Sequence, residues 1–280
     1  MKILDGKKVR DILAEKIRTE LQKIKAKPVL AIIQVGDDER SSVYVRQKRS
    51  FGEKLGFEVR HIKLDEHASE LHLLLQIEKL NSDENINGII VQLPLPKQIN
   101  TLKVIETIDP KKDIDGLNSK NLRFLLENIP GGFMPATTKG VLSLLDFYKI
   151  PLAGKKVTVI GRSLLVGKPT ALALMNRGAT VTVCHSQTKH MKDEVRKADI
   201  VVVAAGRPKL ITRNFVRKGQ VVIDVGITKV GDGLLGDVDF KAVFPIVKAI
   251  TPVPGGVGPM TVVSLFENLL ISYKRQKGLE

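Results

Sequence analysis

The chain has a single cysteine, no tryptophan and few aromatic residues of any kind, 4% in all. A lone Cys184 excludes an intramolecular disulfide framework and any metal site built from several cysteines, and it suits a reducing compartment. With so few rings, the core of a 280-residue chain must be built from Leu, Ile and Val. Long apolar runs are missing too: none reaches the roughly 18 residues that a membrane span needs. The start, MKILDGKKVR, is charged early and lacks the apolar stretch of a secretory signal. We therefore expect a cytoplasmic protein with no membrane partner. The five histidines (61, 67, 72, 185 and 190) show no HExxH-like spacing and have no cysteine companions, so no metal is expected.

Acidic residues are also scarce relative to basic ones, which leaves a net charge of +15. The plain reading is a solvated, Lys-rich surface. The functional reading is attraction of anions such as nucleotide phosphates, polyglutamate tails or nucleic acid. Nucleic acid is the least supported of these, because no zinc-finger or RRM-type signature appears and few aromatics are available for stacking. The charge is spread along the chain, and no nucleic-acid partner is expected.

What is present is an alternation of helix-like and strand-like segments. Val9, Ile12, Leu13, Ile17, Leu21 and Ile24 follow a helical period across residues 7–25. VLAIIQVG (29–36) is a continuous apolar run of the kind found in buried parallel strands. A polar amphipathic stretch over 41–56, a strand in FEVRHIKL, a helix over 69–81 and a strand in GIIVQLPLP (88–96) complete the first half. Residues 128–140 are rich in Gly and Pro and mark a domain boundary, with Thr137 or Thr138 expected to cap the helix that follows. The alternation restarts with the strand segments KKVTVIG, ATVTVCH, DIVVVAAG and QVVIDVG, the rhythm of a dinucleotide-binding half-fold. An amphipathic helix from about 259 to 275, with Pro259 in its first turn, closes the chain. The expected fold is α/β with two lobes and a cleft between them. A catalytic domain would comprise 1–135 and 259–280, and a Rossmann-like domain 136–258.

Gly161 and Gly167 stand at the turn from KKVTVIG into the next helix, where backbone can approach a pyrophosphate at a helix N-terminus. Their spacing is Gly-x5-Gly rather than Gly-x-Gly-x-x-Gly, a weak signal that the following strands strengthen. NAD enzymes commonly place an acid about 20 positions later, on the ribose hydroxyls. Here the second strand runs into Cys184-His185-Ser186-Gln187-Thr188, with no acid. Arg162 can pair with a 2′-phosphate and Ser186 can add a hydroxyl donor, so these residues favour NADP over NAD.

Tyr44 and Lys48, four apart in SSVYVRQK, share one helix face. Gln92 ends an apolar strand ahead of two prolines, and KKDIDG places Asp113 and Asp115 in a loop before Gly116. Each is ordinary alone. Together with GRSLLVGKP, CHSQT, VIDVGI, GDVDF and TPVPGGVGPMT, their order resembles the bifunctional methylenetetrahydrofolate dehydrogenase/cyclohydrolase family, the FolD type, over residues 5–268.

That resemblance implies NADP-dependent oxidation of 5,10-methylenetetrahydrofolate, then hydrolysis to 10-formyltetrahydrofolate. It implies that Lys48 carries the hydrolase step, that Gln92 tunes Lys48, that Tyr44 lines the folate site and that Asp115 binds the pterin. Gly161, Arg162, Ser163, Gly167, Ser186 and Ile227 would bind NADP, while Pro254, Gly255 and Gly256 would approach the folate. It further implies tetrahydrofolate derivatives as ligands and a homodimer through the nucleotide domain; polyglutamate tails on the folate stand only among the anions that the positive charge could attract. Two departures stand out. Thr138 replaces the family's usual proline, which predicts a looser hinge loop. Arg123 replaces a usual glycine, which predicts altered loop geometry after KKDIDG. A monofunctional folate dehydrogenase, an NADP-dependent dehydrogenase of a small carboxylate, and a non-catalytic anion binder are the alternatives.

Overall fold

A computed structural model describes residues 2–231 and 233–279. In chain order the first elements are β1 (Lys2–Ile3), α1 (Gly6–Ile24), β2 (Val29–Val35), α2 (Glu39–Leu55), β3 (Glu58–Leu64), α3 (Glu70–Ser82) and β4 (Gly88–Val91). Next come α4 (Thr101–Thr107), α5 (Ser119–Glu127), α6 (Ala136–Phe147), β5 (Lys156–Ile160), α7 (Gly167–Asn176), β6 (Thr180–Cys184) and α8 (Met191–Lys197). The remainder is β7 (Ile200–Val203), β8 (Val221–Asp224), β9 (Thr228–Val230), β10 (Gly233–Leu235), α9 (Phe240–Val243), β11 (Ala249–Ile250) and α10 (Val257–Gln276). No described helix is long and apolar enough to cross a membrane.

The chain forms two compact units, one of residues 13–136 with 264–280 and one of residues 1–12 with 137–263. The first holds a three-stranded parallel sheet in the order β3-β2-β4. Every residue of the central strand β2 is buried, which is why its sequence is apolar except at Gln34, whose buried amide donates to the Gly36 carbonyl and the Ser42 hydroxyl. Ala31, Ile33, Ile89, Leu73, Ile77 and Val104 form one core between this sheet and the helices α3 and α4. A lysine closes that layer. Lys112 is buried, and its ammonium donates to the carbonyls of Leu80 (3.0 Å), Asn81 (2.7 Å) and Asp83 (2.8 Å) at the C-terminus of α3. A cation there satisfies carbonyls that the helix cannot, at the negative end of its dipole.

The second unit holds a six-stranded sheet in the order β6-β5-β7-β8-β11-β1, parallel throughout. The order reverses between β5 and β7, and such a reversal leaves a crevice at the carboxyl ends of the strands. Ile160, Val201, Val203, Val222 and Ile250 of the sheet pack with Val195 and Val243 as one core.

Residues 1–12 pack with the second unit, because β1 pairs in parallel with β11 and Asp5 exchanges hydrogen bonds with the Tyr148 hydroxyl. Three expectations need correction. Thr137 and Thr138 lie inside α6 and do not cap it. Thr138 is fully buried and shares a 3.0 Å hydrogen bond with Thr170, so the proline it replaces is exchanged for a helical contact and no loop is loosened. Arg123 is likewise helical, within α5, where no positive φ is required, and it pairs with Glu127 one turn later. The sequence pattern gives no sign of α4, α5 or the short pairings of β1, β9, β10 and β11.

Replacing Lys112 with Met should lower stability by roughly 1.5–3 kcal/mol, since carbonyls served by a charged donor lose it. Urea unfolding checks this, and a variant within 0.5 kcal/mol of the parent (about the scatter for a neutral surface change) would contradict the assignment.

Candidate active site

In the first unit, α2 carries two of the expected residues, and local chemistry sets its position. Asp38 caps the helix by accepting from the Ser41 amide (2.8 Å), and Gln34 at the end of β2 donates to the Ser42 hydroxyl (2.9 Å). Further along, Gly52 leaves room for the Phe266 ring, from which a Cβ would be only 2.5 Å. Phe51 and Phe57 pack on that same ring. Tyr44 and Lys48 then stand one turn apart, both half-buried.

The Lys48 ammonium donates to Gln92 Oε1 at 3.0 Å. Gln92 is held in turn, because its amide donates to the Leu93 carbonyl (2.7 Å) and its backbone N–H to Ile33 on β2 (2.8 Å). Its acceptor oxygen is therefore the atom turned to the lysine. Burial pushes the Lys48 pKa down, and the Asp115 carboxylate opposes that shift. Asp115 is pushed up by burial and drawn back by Lys48. Desolvation drives both groups toward neutrality, while their mutual attraction favours the charged pair.

Asp113 fixes the loop that carries Asp115. Its carboxylate accepts from the amides of Gly116 (3.1 Å) and Asn118 (2.8 Å) and from the Asn121 side chain (2.9 Å). Burial still outweighs those bonds and raises its pKa to about 6. The expected lysine, glutamine and aspartate thus come together in one unit. Asp113 and Lys112 hold their frame, a role that the KKDIDG string does not by itself reveal, although both stand in it.

In the second unit the strand ends form the other candidate site. Gly161 leaves β5 with φ +125°, and a Cβ there would lie 2.1 Å from the Ala204 carbonyl at the end of β7. Only glycine permits that approach at the point where strand order reverses. Ser163 Oγ accepts from the amides of Val166 and Gly167, both at 3.3 Å, which leaves its own O–H to donate. Gly167 is buried against the Gly161 carbonyl, so it serves the packing of the turn. Arg162 and Ser186 stand at adjacent strand ends, with Ser186 exposed, and Ile227 is half-buried beyond β8. The Gly255 carbonyl accepts from the amides of Gly6 (2.9 Å) and Lys7 (3.2 Å), which ties Pro254–Gly256 to the start of α1.

Two buried acids support this end. Asp237 Oδ2 accepts from the amides of Ala205 (2.7 Å) and Gly206 (2.8 Å) in the loop after β7. Asp224 accepts from the amides of Gly226, Asp237 and Val238, and burial raises its pKa to about 7. The strings VIDVGI and GDVDF contain both acids, but composition alone assigns them no contact. Among the described residues, no group of three or more His, Cys, Asp or Glu could hold a metal ion.

Residues 4–115 match the catalytic domain of tetrahydrofolate dehydrogenase/cyclohydrolase, and residues 135–277 match its NAD(P)-binding domain. The bifunctional protein FolD of Acholeplasma laidlawii is 46% identical over 275 residues, 98% of this chain and 99% of that protein. The crystal structure of FolD from Campylobacter jejuni is 40% identical, with a TM-score of 0.95 over 98% of this chain and 99% of that one. A Trypanosoma brucei methylenetetrahydrofolate dehydrogenase-cyclohydrolase, solved with NADP and an inhibitor, is 36% identical with a TM-score of 0.91, covering 98% and 97%.

Carboxyl carbon NMR should place the titration midpoints of Asp113 near 6 and Asp224 near 7. Both values lie above that of an unfolded aspartate, about 3.9. The stability each group adds is therefore full below about pH 4 and is lost as pH rises through the folded value. Midpoints near 4 for both would show that neither carboxyl is desolvated.

Proposed function

This chain belongs to the tetrahydrofolate dehydrogenase/cyclohydrolase family, and we propose that it oxidises 5,10-methylenetetrahydrofolate with NADP and hydrolyses the methenyl product to 10-formyltetrahydrofolate. The observation that carries this reading is the 3.0 Å bond from a desolvated Lys48 to a fixed Gln92, with Asp115 close enough to shift its charge. A monofunctional dehydrogenase would not need that amine, and an anion-binding surface would not bury it.

The residues at the strand ends fit NADP. A guanidinium at Arg162 and hydroxyls at Ser163 and Ser186 suit a phosphate, and residues 184–188 bring no carboxylate to repel it. The N-terminus of α7 adds the positive end of its dipole, while its first amides are taken up within the turn, Gly167 by Ser163 Oγ and Lys168 by the Ser163 carbonyl, and Pro169 has no N–H. When bound, NADP+ supplies the hydride acceptor. For this step the chain's own residues need only orient the substrate, because lone pairs of the folate nitrogens expel the hydride from the methylene carbon without a general base.

Hydrolysis asks more of the chain. Water adds to the methenyl carbon and gives up a proton, which the neutral amine of Lys48 accepts. The carbon–N5 bond then breaks, N5 gains a proton, and one net proton leaves with the 10-formyl product. Burial serves this by lowering the lysine pKa toward the working range. Gln92 holds the amine in place. Asp115 accepts from the pterin N–H groups, and Tyr44 lines the folate site. We assign folate chemistry to a catalytic domain of residues 1–135 with 259–280, and NADP binding to residues 136–258.

The positive charge of the chain suits polyglutamate tails on the folate. We also infer a homodimer through the nucleotide unit. Among the described residues, strand β6 is an unpaired edge of the sheet, and Thr180, Thr182 and Val183 on it are exposed. Sedimentation equilibrium at micromolar concentration should give twice the 30.9 kDa chain mass, and a monomer would refute this.

Lys48→Met should abolish methenyl hydrolysis while NADPH still forms from methylenetetrahydrofolate. Following NADPH and methenyl absorbance together separates the steps. Full methenyl decay in the variant would remove Lys48 from the mechanism, and no NADPH from the parent would remove the dehydrogenase. In the parent, hydrolysis should decline as pH falls, because acid protonates the amine that must accept the proton.

A further inference from the structure

Strands β5 and β6 are parallel neighbours with Ile160 opposite Cys184, and the Gly161 amide donates to the Cys184 carbonyl at 2.8 Å. The two loops that leave these strands therefore start side by side. Across them, Arg162 donates from Nη2 to Gln187 Oε1 at 3.0 Å. The turn that carries Gln187 is tied internally. The His185 amide donates to Thr188 Oγ1 (2.9 Å), and the Gln187 amide donates to His185 Nδ1 (3.2 Å). A fixed backbone thus presents a neutral acceptor to a long, exposed cation.

We propose that Gln187 is a positioning residue that holds Arg162 at the strand end and thereby sets the preference for a nucleotide that carries a 2′-phosphate. The proposal rests on the NADP reading above. Its physical basis is that an arginine side chain loses rotamer freedom when it grips an anion, and an acceptor that orders it beforehand removes part of that loss. The acceptor must be neutral. A carboxylate at position 187 would order Arg162 equally well, but it would cancel its charge, repel a 2′-phosphate and accept from a free ribose hydroxyl, which is the chemistry of NAD-selecting sites. The position is 26 residues after Gly161 and 20 after Gly167, in the region where such an acid commonly stands.

The test uses calorimetric titration of the full chain with adenosine 2′,5′-bisphosphate and with adenosine 5′-monophosphate, which differ only in the 2′-phosphate. Gln187→Ala should weaken the bisphosphate about three- to tenfold and leave the monophosphate unchanged, as expected when one hydrogen bond is removed. Gln187→Glu should weaken the bisphosphate about 10- to 100-fold, as expected when a charge-assisted hydrogen bond to the phosphate no longer forms. In an Arg162→Ala background, Gln187→Ala should add less than about twofold, because the two residues act through one interaction.

Equal weakening for both nucleotides would mark a structural role and overturn the proposal. So would an undiminished effect of Gln187→Ala without Arg162, or an effect confined to Gln187→Glu, since a nearby carboxylate repels phosphate whatever the glutamine did. If the parent chain does not distinguish the two nucleotides, the NADP reading fails along with the proposal. A parent that prefers the bisphosphate and an Ala variant that keeps the preference remove Gln187 alone.

Discussion

Withdrawing one lysine amine from water is the constraint around which residues 13–136 are arranged. A buried ammonium is expensive unless it finds acceptors, and a neutral amide such as Gln92 offers one without fixing the charge. That choice lets the proton come and go. A carboxylate bonded directly to the amine would lock it in the charged form, whereas Asp115 acts on it through its charge while remaining partly desolvated itself. The surrounding frame follows from the same need. The Phe266 ring and Gly52 seat α2, Asp113 holds the loop with three hydrogen bonds, and Lys112 fastens the loop's start to the end of α3.

Two of the lysines in this unit show how partners decide a role. Lys112 gives its protons to three carbonyls at a helix end and is tied there. Lys48 donates to the Gln92 amide oxygen and is half-buried. The same residue type is held by three carbonyls in one place and by one amide oxygen in the other, and the chemical role we propose for Lys48 rests on that difference.

The nucleotide unit works by strand order instead. Because the strand order reverses between β5 and β7, the loops after these strands diverge and backbone lines the opening. Gly161 against Ala204, and the Asp237 carboxylate on the amides of Ala205 and Gly206, keep the strand ends in register. In our proposal, selectivity among nucleotides is left to the loops after β5 and β6, where an exposed arginine meets an uncharged partner.

Much of this was legible in the amino-acid order. Buried parallel strands read as apolar runs, helices as a 3.6-residue period, and Tyr44 with Lys48 as one helix face, because these patterns depend on neighbours within a few residues. Specific strings such as VQLPLP and PVPGGVGPMT marked the family. Other features depended on distance in sequence. The pairing of β1 with β11 joins residues 2–3 to 249–250, and no local pattern announces it. Thr138 and Arg123 looked like broken loops and proved to be helical, since tertiary context supplied α6 and α5 where turn chemistry was expected. By itself the sequence determined the α/β alternation, the missing acid after the second strand and the residue types of both sites. Only the tertiary structure decided which acceptor meets Lys48, which acid frames the Asp115 loop and which amide holds Arg162, because those contacts join residues 25 to 44 positions apart or turn on burial that no single segment encodes.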